Sequence, residues 1–285
     1  MKVESELTAS FHVEENVLSC FDAPWHFHPE FELTWIVESR GKRFIGDSIE
    51  PFDEGDLVLL GPDLPHFWVN DPATHRARSV VVQFLPNFAG SEFLHLPEMR
   101  EVARLMERAG RGLHFQGKGA EAARKAMRRL QSLHGLERLT QLLDLLRMLA
   151  GARGVRVLSG AKFNPVLDTR AGERINRACR FVIGHFQEDI GLKDVAAEAC
   201  MSPAAFSRYF KQVTGRNVNT FLTQTRVDAA TRLLLETDQS IAEICYATGF
   251  NNLSNFNRRF RESKAATPME LRRRAASLAT TSARH

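Results

Sequence analysis

Two stretches, VAAEACMSPAAFSRYFKQVTG at 195–215 and IAEICYATGFNNLSNFNRRFRES at 241–263, read as two copies of one plan. Setting Phe206 against Phe256 aligns Arg208 with Arg258, Phe210 with Phe260 and Lys211 with Arg261. Each copy reads as helix, tight turn, helix. In the second, Gly249 supplies the turn residue, Phe250 plugs the core beneath it, and Ser240 with Glu243 forms a capping box. In the first, Ser202 is a good N-cap and Pro203 suits the first helical position.

The second helix of each copy has two distinct faces. Phe206, Phe210 and Val213 fall at i, i+4, i+7 and form an inward stripe; Ala204, Ser207, Arg208 and Lys211 fall on the opposite side. In the second copy Phe256 and Phe260 point in, while Ser254, Asn257, Arg258 and Arg261 point out. Small polar residues beside arginine suit a helix entering the major groove, since arginine can bond guanine edges and asparagine adenine. One such helix is more often a solvated face, and the duplication shifts the balance toward double-stranded DNA.

Residues 175–274 resemble the paired helix-turn-helix domain of the AraC/XylS family of bacterial transcription regulators. The resemblance is carried by Arg226, Ala230, Leu233 and Leu234 in RVDAATRLLLET, by SIAEICYATGF, NFNRRFRES and TPMELR, and it spans about a hundred residues. Val218 stands where that family often has proline and Cys245 where it usually has alanine. The resemblance implies recognition helices in successive major-groove segments. It assigns base reading to Ala204, Ser207, Arg208, Ser254, Asn257 and Arg258, and phosphate contact more loosely to Lys211 and Arg261. It further implies a homodimer, a small-molecule effector, RNA polymerase as a partner, and activation as one mode of regulation.

Charge agrees with this placement. Residues 172–285 hold 17 Lys and Arg against 11 Asp and Glu, whereas residues 1–171 hold 21 against 23. Upstream of the repeat, GARGVRVLSGAKFNPVLDTRA at 151–171 breaks helical periodicity and reads as part of a linker, 151–172. Before it, residues 96–150 carry helical spacing, with Leu136, Leu139, Leu142, Leu143, Leu146 and Leu149 in one stripe. That stripe can pack on its own domain or on a partner helix, and the span is read as a dimerisation region. Residues 1–95 are strand-like: ELTWIV, KRFIG, DLVLL and RSVVVQF are separated by Gly, Pro, Asp and Asn, the mark of a sandwich or barrel.

Within this β-rich part, WHFHPEFELTW at 25–35 places His26 and His28 on one face of a strand, with Glu32 four residues on; GPDLPHFWVN brings His66. Three imidazoles and a carboxylate suit a divalent metal such as zinc, nickel, iron or manganese. Residues 24–70 resemble the two motifs of the cupin barrels, although Gly41 comes late after Glu32 and Pro62 lies four residues before His66, where the family has five. The resemblance implies a cupin-like, effector-sensing barrel with Trp25, His26, His28, Glu32, His66 and Trp68 as effector contacts. Trp35 and Phe67 are further aromatics able to stack on a sugar or to fill the core. A bound metal, polar effector contacts without metal, and purely structural histidines all stay open.

The expected fold class is therefore α+β multidomain: a cupin-like β-barrel with following helices, then an all-α domain at 173–275 with two helix-turn-helix motifs, and a tail at 276–285. The leading reading is a ligand-responsive transcription regulator, not an enzyme. A metal-dependent cupin enzyme fused to a DNA-binding domain and an effector-free architectural protein are the alternatives. No apolar run approaches the roughly 18 residues that span a bilayer. MKVESELTAS lacks a signal-peptide pattern, and the scattered Cys20, Cys179, Cys200 and Cys245 read as small buried side chains. No membrane association and a cytoplasmic setting are the expectations.

Overall fold

Strand alternation and helical periodicity separate the chain into two compact units, residues 1–173 and 174–285. The computed structural model describes residues 10–274 except 22, 24, 73, 162 and 164–168. The expected tail at 276–285 and part of the expected linker lie outside the described residues.

The first unit holds two antiparallel sheets. The larger runs in the order β1 (Phe11–Leu18), β7 (Ala77–Phe84), β2 (Phe31–Glu38), β5 (Leu57–Leu60), β8 (Leu113–Phe115), β9 (Arg156–Val157). The smaller is β4 (Ser48–Phe52), β3 (Gly41–Ile45), β6 (His66–Asn70). Period-two alternation divides the larger sheet cleanly. Leu33, Trp35, Leu57, Leu59, Val80 and Val82 face three helices, α1 (Arg100–Ala109), α2 (Gly117–Leu130) and α3 (Gly135–Ala150). Ile36, Val58, Leu60 and Ala77 turn the other way, onto Ile45, Phe52 and Trp68 of the smaller sheet.

Four expectations change here. Leu142, Leu146 and Leu149 of the leucine stripe are buried in the chain's own core together with Leu145, and only Leu136 stands well out, at 74% exposure. The wide apolar face of α1–α3 is thus matched to the large sheet, and these helices do not form a separate region at 96–150. The sheet is also not complete at residue 95, because β8 and β9 come from segments that read as helical and linker. The start of the expected linker is fastened to the first unit: Leu158 and Phe163 pack between the sheets, and Arg111 donates to the Ser159 carbonyl at 2.7 and 3.0 Å. Cys200 is exposed, unlike the buried Cys179 and Cys245.

The second unit consists of α4 (Thr169–His185), α5 (Leu192–Glu198), α6 (Pro203–Thr214), α7 (Val218–Glu236), α8 (Ile241–Ala247) and α9 (Leu253–Lys264). Its helix starts follow the capping residues. Ser202 Oγ accepts from Ala205 N at 3.4 Å and Asn252 Oδ1 from Asn255 N at 2.8 Å. Ser240 and Glu243 close a reciprocal box at 3.2 and 2.7 Å. At Gly249, φ is +81°, and a Cβ would lie 2.6 Å from the Phe186 carbonyl, so only glycine fits this turn. Phe250 and Phe256 meet edge to face beneath it, within a core that includes Val227, Ile244 and Phe260.

Candidate functional site

The outward faces of α6 and α9 follow from burial of the phenylalanines. Phe206, Phe210, Phe256 and Phe260 are fully buried, which fixes the rotation of each helix. Ala204, Arg208 and Lys211 are left exposed with Ser207 partly so, and Ser254, Asn257, Arg258 and Arg261 are exposed on α9. All eight sequence-predicted positions therefore stand on accessible faces of the second helix of each pair. On α9 the guanidinium of Arg258 is held in place: it donates to Asn255 Oδ1 at 3.0 Å and to Glu262 Oε1 at 3.2 Å.

The first unit assembles the histidine cluster from β2, β6 and the segment before β2. His26 and His66 pair through their backbones, His26 N to His66 O at 3.2 Å and His66 N to His26 O at 2.9 Å. Their rings thereby come within 4.3 Å, with His28 5.1 Å from His66. Glu32, buried on the same side of the sheet, accepts from His28 Nε2 at 3.0 Å, Thr34 Oγ1 at 2.5 Å and Gln83 Nε2 at 2.8 Å. One ligand atom from each of His26, His28, Glu32 and His66 lies within 4.8 Å of all the others.

Protonation in the cluster has a definite direction. His66 Nδ1 donates to the Leu64 carbonyl at 2.8 Å, which turns Nε2 toward the cluster. That nitrogen is buried without a hydrogen-bond partner and stands 3.7 Å from Glu32, too far for a hydrogen bond. Burial alone would push the Glu32 carboxyl up, but the facing His66 and His28 outweigh it and hold the group well below the usual carboxylate range. Burial likewise works to lower His28, yet the bond and charge of Glu32, with Glu30 behind it, raise it above an ordinary imidazole. An N3O donor set with an orphaned imidazole nitrogen fits a borderline divalent metal.

The aromatic expectations divide. Trp68 lies on the inner face of β6, its ring 5.7 Å from His66 and its Nε1 buried without a partner. Trp25 is buried, edge-on to Phe27. Trp35 faces the helices, with Arg128 5.2 Å over its ring, and Phe67 stacks on Phe44 at 4.2 Å. Both sit on the wrong sheet face to meet a ligand at the histidines. Two partners were not visible in the sequence. Gln83 lies 51 residues from Glu32 and joins it only through the β2–β7 register. Arg43 is buried between the sheets and bonds Asp56 at 2.6 Å and Glu50 at 2.9 Å.

Two helix-turn-helix pairs are joined through α7, and each presents a second helix studded with basic and amide side chains. Comparison with known proteins agrees: residues 195–274 match the family described as "Helix-turn-helix domain". The chain is similar to the regulatory protein PocR of Salmonella typhimurium, 34% identical over 35% of this chain and 33% of that protein. It is also similar to the transcriptional activator RhaS of an Enterobacter species, 33% identical over 35% of this chain and 36% of that protein. A solved C-terminal domain of AraT, a response regulator from Geobacillus stearothermophilus, is 31% identical over 36% of this chain and 87% of that one, with a TM-score of 0.35. The chain thus spans about a third of the length of these curated relatives. Among the described residues no helix is long and apolar enough to cross a membrane.

Proposed function

We propose that this chain is a ligand-responsive transcription regulator: α6 and α9 read double-stranded DNA, and the two-sheet unit is a cupin-like sensor of a small polar molecule. The observation that carries the first half is the duplicated helix-turn-helix with arginine on both outward faces and asparagine on the second. The second half is supported by polar atoms that have no hydrogen-bond partner although they are buried. His66 Nε2, Trp68 Nε1, Arg43 Nε and Asp56 Oδ2 are all of this kind. Register and packing set these four side chains toward the space between the sheets. Buried polar groups are rarely left unmatched, so this interior suits a ligand offering both donors and acceptors, as a sugar does.

In this reading His26, His28, Glu32 and His66 hold a divalent cation, which when bound supplies a Lewis-acidic anchor for an effector oxygen. The Leu64 carbonyl already turns His66 Nε2 toward the site, and Glu32 and Gln83 orient the rest. The same reading makes the protein a cytoplasmic homodimer that works with RNA polymerase. Elemental analysis of tag-free protein tests the metal. About one zinc, nickel, iron or manganese per chain is expected, lost in both His26→Ala and His66→Ala. Wild type that takes up none after incubation with each ion would remove the metal from the proposal. DNA binding is tested separately, by enrichment of one sequence from a random duplex library.

A further inference from the structure

The second recognition helix carries a negative charge that the first lacks. With Phe206 set on Phe256, Gln212 aligns with Glu262, Tyr209 with Arg259 and Ala205 with Asn255. In space these three exchanges form one chain of contacts. The Asn252 cap holds the Asn255 amide at 2.8 Å, and Asn255 Oδ1 accepts from Arg258 Nη2 at 3.0 Å. Arg258 Nη1 then donates to Glu262 Oε1 at 3.2 Å, and Arg259 Nη1 donates to Glu262 Oε2 at 3.0 Å. One carboxylate thus holds two guanidiniums. It also lines, with Ser207, Asn217, Thr220 and Arg259, a cavity of about 460 Å³. That cavity touches both recognition helices and the start of α7.

Stability does not account for the arrangement. Arg258 and Glu262 are each more than half exposed, and ion pairs of that kind add little. On a helix that approaches a polyanion, a carboxylate weakens every phosphate contact nearby. Its benefit must come from which DNA it weakens most. A guanine edge offers two acceptors that match the guanidinium fork and can compensate for the broken pair, whereas a lone phosphate or a mismatched base offers less. We propose that Glu262 is a specificity-determining positioning residue of α9. It keeps Arg258 and Arg259 off phosphates and yields Arg258 only to a base edge that satisfies its fork. Among the described residues Arg208, with Gln212 one turn on, has no such restraint, so α6 is the less selective reader. The inference rests on the DNA-binding reading of α9.

The test uses the full chain, the duplex that wild type enriches from a random library, and a scrambled duplex, in anisotropy titrations over a range of salt. Glu262→Gln, which gives α9 the neutral amide found in α6, is expected to bind the scrambled duplex roughly three- to tenfold more tightly. The matched-to-scrambled ratio falls by a similar factor, and the salt slope on scrambled DNA steepens by roughly 0.9 for each phosphate gained. In an Arg258→Ala background the same change leaves the ratio where Arg258→Ala put it, a result that a purely structural role of Glu262 does not predict. An unchanged ratio in the single variant overturns the proposal while the DNA-binding reading stands. So does a fall in ratio that persists without Arg258. If wild type enriches no sequence, the reading itself fails and the proposal fails with it.

Discussion

Arg258 concentrates the proposed DNA-reading chemistry in one side chain. It is exposed, its fork is oriented by Asn255 and Glu262, and its helix is fixed in rotation by two buried phenylalanines. Arg258→Ala is expected to cost about 1–3 kcal/mol on the enriched duplex and to relax preference at one base position. Titration against single-position variants of that duplex checks it, and an equal loss on all of them would refute a base-reading role. Ala204, by contrast, offers little beyond contact with a thymine methyl, which leaves Arg208 as the main reader of α6.

At the scale of the element, the two repeats test each other. α6 ends at Gly215 with φ +68° and α9 ends at Ala265 with φ +53°, aligned positions in the same left-handed conformation. Alanine pays a steric penalty there that glycine avoids. Ala265→Gly is expected to stabilise the second unit by about 1 kcal/mol and Gly215→Ala to destabilise it by a similar amount. Urea denaturation followed by helical circular dichroism measures both.

The short strand β9 depends on charge in the same way that the helices depend on caps. Arg156 donates to both oxygens of Glu50 at 2.6 Å, Arg43 reaches Glu50 from β3, and His114 of β8 stands 3.0 Å from Asp56. Burial works to raise the Glu50 carboxyl, but Arg156 and Arg43 outweigh it and hold it below its ordinary value. A carboxylate with a depressed folded pKa contributes stability that is present above the ordinary value, about 4.5, and lost as pH falls through the folded one. The melting temperature of the first unit should therefore drop as pH is lowered through that window. Glu50→Gln should start lower at neutral pH and show a shallower acid limb; parallel limbs in the two proteins would exclude this role.

Across the whole molecule, two separate cores imply two separable stabilities. Leu146 is fully buried in the core of the first unit and Phe210 in the second. Leu146→Ala should cost about 2–5 kcal/mol and Phe210→Ala about 3–5 kcal/mol, each in its own unit. Calorimetry combined with metal content and DNA titration separates them. Leu146→Ala is expected to lower the transition that releases metal, and Phe210→Ala the transition that abolishes DNA binding. A single transition shifted by both would show that the units unfold together.

The sequence by itself determined whatever depends on neighbours within a turn or two of helix or strand. Serine and asparagine caps, Gly249 in its turn, the phenylalanine stripe and the outward arginines are local patterns, and the structure places each where periodicity puts it. His26 and His28 belong elsewhere: they lie before β2 and not on one strand with Glu32, and the backbone bridge from His26 to His66 and the bond from His28 to Glu32 bring them together. Only the tertiary structure decided the rest. β8 and β9 are three and two residues long, too short for any pattern, and exist because β5 offers an edge. The leucine stripe reads equally well for a partner helix or for the chain's own sheet, since apolar spacing says that a face is buried and not what covers it. Gln83 beneath Glu32 and Arg43 between the sheets came from strand register, a long-range relation that no stretch of sequence carries within itself.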